Sequence, residues 1–406
     1  MRRCYYNFAV IAALSISLLA GCGSQQMDSA SESTTNAVET ETESETETTV
    51  AEITDGNYPI DENYMTIHGR YLAWNGTVWL SYSASGIEFN YTDCTECTIS
   101  LTGDSTAGVD ASADHQTRYA VYVNDALYTS ELMDETSKEV TVSLADYGTE
   151  GTINFVKLSE SSDSSIGITG VQVDGSISPM PEKDLAIEFI GDSITCGYGA
   201  DGELGDTYST SNENAMKSYA YKTAMELDAD YHMVSFSGYG IISGYTGDGE
   251  KNTVSLMPTY YDKQGNSYGT ILTGIKNGTL TWDFTRWQPD LVVINLGTND
   301  ASYAKTDEQK EEFRDGYIAF LKTVREYNPN AKIVCTLGLM GDTLYPQVEE
   351  AVSMYSEETG DQEVSSFRLS VQDPANGYGV DYHPTEVNHY LAADELSTYL
   401  KELLGK

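Results

Sequence analysis

Positive charge is what this chain has least of. Its 406 residues include 22 Lys and Arg against 63 Asp and Glu, a formal net charge of -41. Phosphate binding needs clustered cations, so the balance argues against a nucleic-acid partner. It argues equally against a basic helix lying on a membrane. Cysteine and histidine are scarce, at 6 and 5. The one C-x-x-C, Cys94 and Cys97, has no second pair and no suitably spaced His. That is a weak zinc signal, and no metal or cofactor is expected. A Cys94–Cys97 disulfide needs a turn, which residues 92–96 can supply, so the oxidised and free states both stay open. The apolar run near the start is shorter than the roughly 20 residues of a membrane-spanning helix. What is present suffices for folded cores: 40% hydrophobic residues, with 30 Tyr and 35 Gly that fit β-structure rich in turns. The length fits two or three domains of about 100–200 residues.

Arg2 and Arg3 precede an uncharged stretch at 8–21 that ends Leu19-Ala20-Gly21-Cys22. A positive start, a short apolar core and small residues at a cleavage point describe a secretory signal. Leu-Ala-Gly-Cys resembles the bacterial lipoprotein box. The resemblance implies a signal peptide over 1–21, lipid on Cys22, and attachment at the cell surface through that anchor alone. Residues 22–56 are mostly Ser, Thr and Glu, alternating strictly from Thr40 to Glu47. Such a segment has almost nothing to bury and is expected to be a disordered acidic linker.

Two folded halves follow, with different rhythms. Over 57–178, short segments such as 77–82, 86–91, 119–123, 141–144 and 152–156 alternate apolar with polar residues. Turn residues such as Asn75-Gly76 and Asn124-Asp125 separate them. This predicts an all-β sandwich, jelly-roll-like in kind. Ser178-Pro179-Met180-Pro181 ends that rhythm. From 180 to 406, apolar runs at 185–190, 231–236, 291–296 and 331–337 alternate with helical stretches at 215–227, 306–327, 344–359 and 385–404. Runs covered on both faces, separated by helices, predict a three-layer α/β domain with a parallel sheet.

Chemistry gathers at the carboxyl ends of those runs, where α/β sheets bind ligands. The first leads into Gly191-Asp192-Ser193, a serine at a strand-to-helix corner. The second ends Ser237-Gly238-Tyr239, the third leads to Gly297-Thr298-Asn299-Asp300, and Asp381-Tyr382-His383 stands before the last helix. In order, these four blocks resemble the SGNH (GDSL-type) hydrolases. With a β-rich half in front, the chain resembles carbohydrate esterase family two, the acetylxylan-esterase-like enzymes, over residues 57–406.

The resemblance implies roles. Ser193 would be the nucleophile and His383 the general base, with Asp381 holding the imidazole. Ser193, Gly238 and Asn299 would form the oxyanion hole. The substrate would be an acetylated polysaccharide such as xylan or mannan, with no cofactor. One departure matters: the wider family has Asp-x-x-His, and Val380 occupies that acid position here. Either Asp381 reaches His383 or a backbone carbonyl orients it. Asp381→Asn should therefore cost far less than His383→Ala.

Tyr198, Tyr239, Tyr303 and Tyr382 sit beside the motifs and are candidates to stack on sugar rings. Asp192 and Asp300 are read as turn-stabilising, and His389 as a structural hydrogen-bonding residue. Gly265-Asn266-Ser267-Tyr268-Gly269 matches a nucleophile elbow but follows polar residues, so it is read as a loop. Other readings use the same machinery: deacetylation of another glycan such as peptidoglycan, or lipase- or thioesterase-type hydrolysis. A reading of a different class is a non-catalytic glycan-binding protein.

Overall fold

The computed structural model describes residues 55–108, 114–272 and 274–406. The expected signal peptide, Cys22 and nearly all of the linker lie outside the described residues. Residues Ala51–Lys406 form one compact unit. Among the described residues no helix is long and apolar enough to cross a membrane.

The first half is two antiparallel sheets. In one, Ile166–Val173 lies between Thr77–Leu80 and Glu96–Gly103, and Ser137–Ser143 forms an edge. In the other, Glu150–Lys157 lies between Gly86–Thr92 and Arg118–Val123. Alternate residues point inward from both: Ile99, Leu101 and Ile168 from one, Ile87, Phe89, Val121 and Phe155 from the other. They share one core, so the sheets form a sandwich. The period of two is the physical cause, because successive strand side chains take opposite faces. Cys94 and Cys97 are free thiols, both buried. Burial pushes both thiols above their ordinary range.

The second half is a five-stranded parallel sheet ordered Asp230–Ser235, Ala186–Gly191, Leu291–Asn295, Lys332–Leu339, Val364–Val371. Every residue of Leu291–Asn295 is buried, as expected for a strand covered on both faces. Two features differ from the sequence reading. The last strand was not anticipated: its partly exposed Ser365, Ser366 and Arg368 interrupt any apolar run. The helix expected over 215–227 is broken into a 3-10 turn, Ala215–Lys217, and a helix, Tyr219–Glu226. Ser218 causes the break, with extended dihedrals and a side chain capping the Tyr221 N–H.

The halves share apolar packing. Ala84, Ala120, Val156 and Leu158 of the sandwich join Ile187, Phe189, Tyr219 and Met233 in one cluster. Beside it, fully buried Arg70 donates to Glu188 at 2.9 Å and to the Tyr261 carbonyl, while the Tyr261 hydroxyl donates to Glu188 at 2.6 Å. The buried cation is matched by a carboxylate and by carbonyls, the condition under which burial is tolerable.

Candidate active site

The strand Ala186–Gly191 stops at a corner. Asp192 caps the short helix Ser193–Cys196 by accepting from the Ile194 N–H at 3.0 Å. The corner needs glycine at 191, since a Cβ there would lie 2.0 Å from Thr195 Oγ1. Ser193 is thus raised at the carboxyl end of the sheet with its hydroxyl facing a pocket of about 740 Å³. His383, Gly238 and Asn299 line the same pocket.

Ser193 Oγ lies 2.8 Å from His383 Nε2, and His383 Nδ1 lies 3.0 Å from the Val380 carbonyl. A carbonyl only accepts, so the ring proton sits on Nδ1 and the Nε2 lone pair faces the serine. Burial pushes the imidazole down to about 4, although the Val380 carbonyl and the Asp381 charge pull the other way. The ring is therefore neutral at pH 7, with the Nε2 lone pair turned to the serine.

Of the two partners expected for Nδ1, the backbone carbonyl is the one that reaches it. Asp381 lines the pocket, but its carboxylate accepts from the Tyr198 hydroxyl at 2.9 Å. Backbone shape explains this. Asp381 and Tyr382 both have positive φ, 51° and 65°. That left-handed pair turns the Val380 carbonyl onto the ring and the Asp381 side chain away. Two such non-glycine residues in succession cost about 1–3 kcal/mol each.

Gly238 has φ +78°, and nothing lies within 4 Å of where its Cβ would be. Its carbonyl accepts from Tyr245 N–H, and its own N–H has no partner among the described residues. Asn299 Nδ2 donates to the Tyr239 carbonyl at 2.8 Å and to Asp192 at 3.2 Å, which fixes the amide at the pocket wall. Asp300 accepts the N–H groups of Ile241, Ile242 and Ser243 and so ties down the loop after Gly238. Burial pushes the carboxyl groups of Asp192 and Asp300 up to about 7 and about 6.

Of the four tyrosines singled out from sequence, Tyr198 and Tyr382 line the pocket. Tyr198 lies against His383 with ring centroids 4.3 Å apart, and Tyr382 is 60% exposed at the rim. Tyr239 is buried against Phe236, with its hydroxyl held by Asn266. Tyr303 faces Glu312 and Lys251 outside the pocket lining. Tyr245, Lys305 and Met340 line the pocket and were not anticipated; none belongs to a local motif. The Gly265–Gly269 stretch is a loop whose Ser267 is buried in hydrogen bonds with Ser165 and Asn277.

Metal-ligating atoms converge at one place among the described residues: Glu160, Cys196 and Glu213, within 4.8 Å of one another. Glu160 and Glu213 there already accept from the Ser237 and Glu160 backbone N–H groups, respectively.

Residues 189–401 match the family model described as GDSL-like Lipase/Acylhydrolase family. The chain is 36% identical over 225 residues, 54% of its length, to "Cellulase/esterase CelE" of Acetivibrio thermocellus. It is 31% identical over 229 residues, 55% of its length, to "Acetylxylan esterase / glucomannan deacetylase" of Cellvibrio japonicus. These matches span 26% and 58% of the two relatives. Among solved structures, an acetyl xylan esterase from the rumen bacterium Butyrivibrio proteoclasticus superposes with a TM-score of 0.76 at 26% identity, covering 85% of this chain and 96% of that one. A family two carbohydrate esterase from Clostridium thermocellum in complex with cellohexaose gives 0.70 at 28%, covering 84% and 99%.

Proposed function

Because the chain belongs to the GDSL-like lipase/acylhydrolase family, we propose that it is a serine esterase that removes O-acetyl groups from a polysaccharide of the xylan or mannan type. The observation that carries this reading is the 2.8 Å contact from Ser193 Oγ to a neutral His383 Nε2 inside an open pocket. Similarity to a solved acetyl xylan esterase over 85% of the chain, and to a curated acetylxylan esterase over 55%, supports the substrate class.

In the proposed reaction the Ser193 hydroxyl attacks the acetyl carbonyl while His383 Nε2 takes its proton. The Nδ1–H bond to the Val380 carbonyl holds the ring and steadies the imidazolium that forms. The N–H groups of Gly238 and Ser193 receive the oxyanion; the Asn299 amide expected beside them has both hydrogens donated, to the Tyr239 carbonyl and Asp192, and holds the wall of the site. Each such donor is typically worth about 2.7–4 kcal/mol in the transition state. His383 then protonates the departing sugar oxygen. Water activated by the same ring releases acetate from the acetyl-enzyme. Lipid on Cys22 and the acidic linker would hold this unit at the cell surface.

Acetate release from acetylated xylan and acetylated mannan, with Ser193→Ala alongside, tests the reading. Release that depends on Ser193 is expected. Ser193-dependent cleavage of 4-nitrophenyl acetate without release from either polymer would retain the esterase and discard this substrate class. A folded protein that cleaves neither would leave only glycan binding.

A further inference from the structure

The sandwich half touches the loop that lines the pocket. The chain leaving its strand Glu150–Lys157 carries Glu160, a carboxylate only 2% exposed. Glu160 Oε2 accepts from the Ser237 N–H at 2.7 Å. Ser237 immediately precedes Gly238, which lines the pocket and whose own N–H has no partner among the described residues. Glu160 is itself held: its N–H donates to Glu213 at 2.9 Å, and the Cys196 thiol lies 3.8 Å from Oε2. The Tyr208 hydroxyl, with one hydrogen to give, lies 2.6 Å from Asp163 and 2.9 Å from Glu213. The Tyr208 ring lies flat on Tyr198, centroids 4.1 Å apart, and Tyr198 lies on His383.

Three carboxyl groups buried together, with Lys157 the fully buried cation among them and His115 3.0 Å from Asp163, are costly to fold, and burial pushes all three up. The Lys157 ammonium is spent on the carbonyls of Ser159 and Glu160, which shapes the same segment. A sandwich that merely accompanied the catalytic half would not need this arrangement. We infer that Glu160 is a positioning residue for the reaction proposed above, fixing the Ser237–Gly238 turn so that the Gly238 N–H meets the reacting oxygen. The sandwich is then a working part of the active site. An oxyanion donor counts only if it is aimed before the charge develops, and one hydrogen bond behind Ser237 supplies that aim.

The test compares Glu160→Ala, Glu160→Gln and Glu160→Asp in the full mature chain. Hydrolysis of 4-nitrophenyl acetate is measured with amide hydrogen exchange at 236–241. Glu160→Ala should lower kcat about 30- to 100-fold with KM within twofold, and speed exchange of Ser237 and Gly238 at least tenfold. Glu160→Gln keeps an oxygen for the Ser237 N–H and should return kcat to within about fivefold of the parent. Should the alanine variant not fold, Glu160→Asp, which withdraws the acceptor by one methylene, should show the same loss of kcat at constant KM. The inference is overturned if a folded Ala or Asp variant keeps kcat within threefold and exchange is unchanged, or if Gln is as impaired as Ala. If the parent shows no Ser193-dependent hydrolysis, the esterase reading fails, and the exchange measurement alone decides whether Glu160 orders the turn.

Discussion

Two buried histidines six residues apart, His383 and His389, are both neutral, yet they work in opposite ways. Burial pushes His383 down to about 4 and His389 down to about 3. His383 donates from Nδ1 to a carbonyl and turns an open Nε2 toward Ser193. His389 accepts at Nδ1 from the Tyr219 N–H at 3.1 Å, so its proton is on Nε2, which has no partner among the described residues. They are opposite tautomers. One presents a lone pair to a pocket; the other ties the start of the helix Tyr219–Glu226 to the last helix, Glu386–Leu404. Neutrality is common to both, so it does not make a base. The direction of the free lone pair and access to substrate do.

The contrast breaks most visibly in activity. His383→Ala and Ser193→Ala should each lower ester hydrolysis by roughly 10⁴- to 10⁶-fold, with melting temperature nearly unchanged. Steady-state rates and a thermal melt on one preparation check both halves of that statement. His389→Ala should do the reverse: about 2–3 kcal/mol of stability lost, from an orphaned Tyr219 N–H and a cavity, with kcat within about threefold. A folded, stable His389→Ala enzyme with no activity would erase the distinction drawn here.

Acid sharpens the comparison. A free imidazole titrates near 6.5, and His383 in the folded protein near 4. The base is competent when neutral, so the acid limb of kcat/KM should fall near pH 4. For stability, both folded-state values lie below the unfolded one. The unfolded chain therefore binds more protons as pH falls below about 6.5. The stability from the two neutral rings is present above that pH and is lost as pH drops toward their folded values. Buried Asp192 and Asp300, held up to about 7 and about 6, act in the opposite direction over the same range, so the ring's share is read as a difference: urea midpoints at pH 7 and pH 4.5 should show a smaller acid-side loss, or a larger gain, in His389→Ala than in the parent. The smallest effect belongs to Asp381→Asn, at most about tenfold in kcat, because the imidazole leans on the Val380 carbonyl. A loss equal to that of His383→Ala would make the carboxylate indispensable.

What could be read from the sequence follows from what each residue does locally. Leu291–Asn295 and Ala186–Gly191 were legible because burial on both faces demands an unbroken apolar run. Ser193, Gly238 and Asn299 stood out because each follows such a run in a short motif, and His383 because Asp381-Tyr382-His383 stands just before the last helix. Val364–Val371 was not, because an edge strand tolerates Ser365 and Arg368. Glu160 and Tyr208 carry no motif at all; they come together only because the sandwich packs against the catalytic half. Tyr239, beside Gly238 in sequence, is turned into the core by the same backbone turn that frees the glycine.

The orienting group at His383 is a peptide oxygen, and every residue that can stand at 380 brings one. Replacement of Val380 itself therefore leaves the acceptor in the chain, whereas a carboxylate in that role could be erased by a single codon. What such a site is sensitive to is the pair of left-handed residues that aims the oxygen. Its hidden vulnerability lies in conformation, at Asp381 and Tyr382, and a family comparison of side-chain identities alone would pass over it.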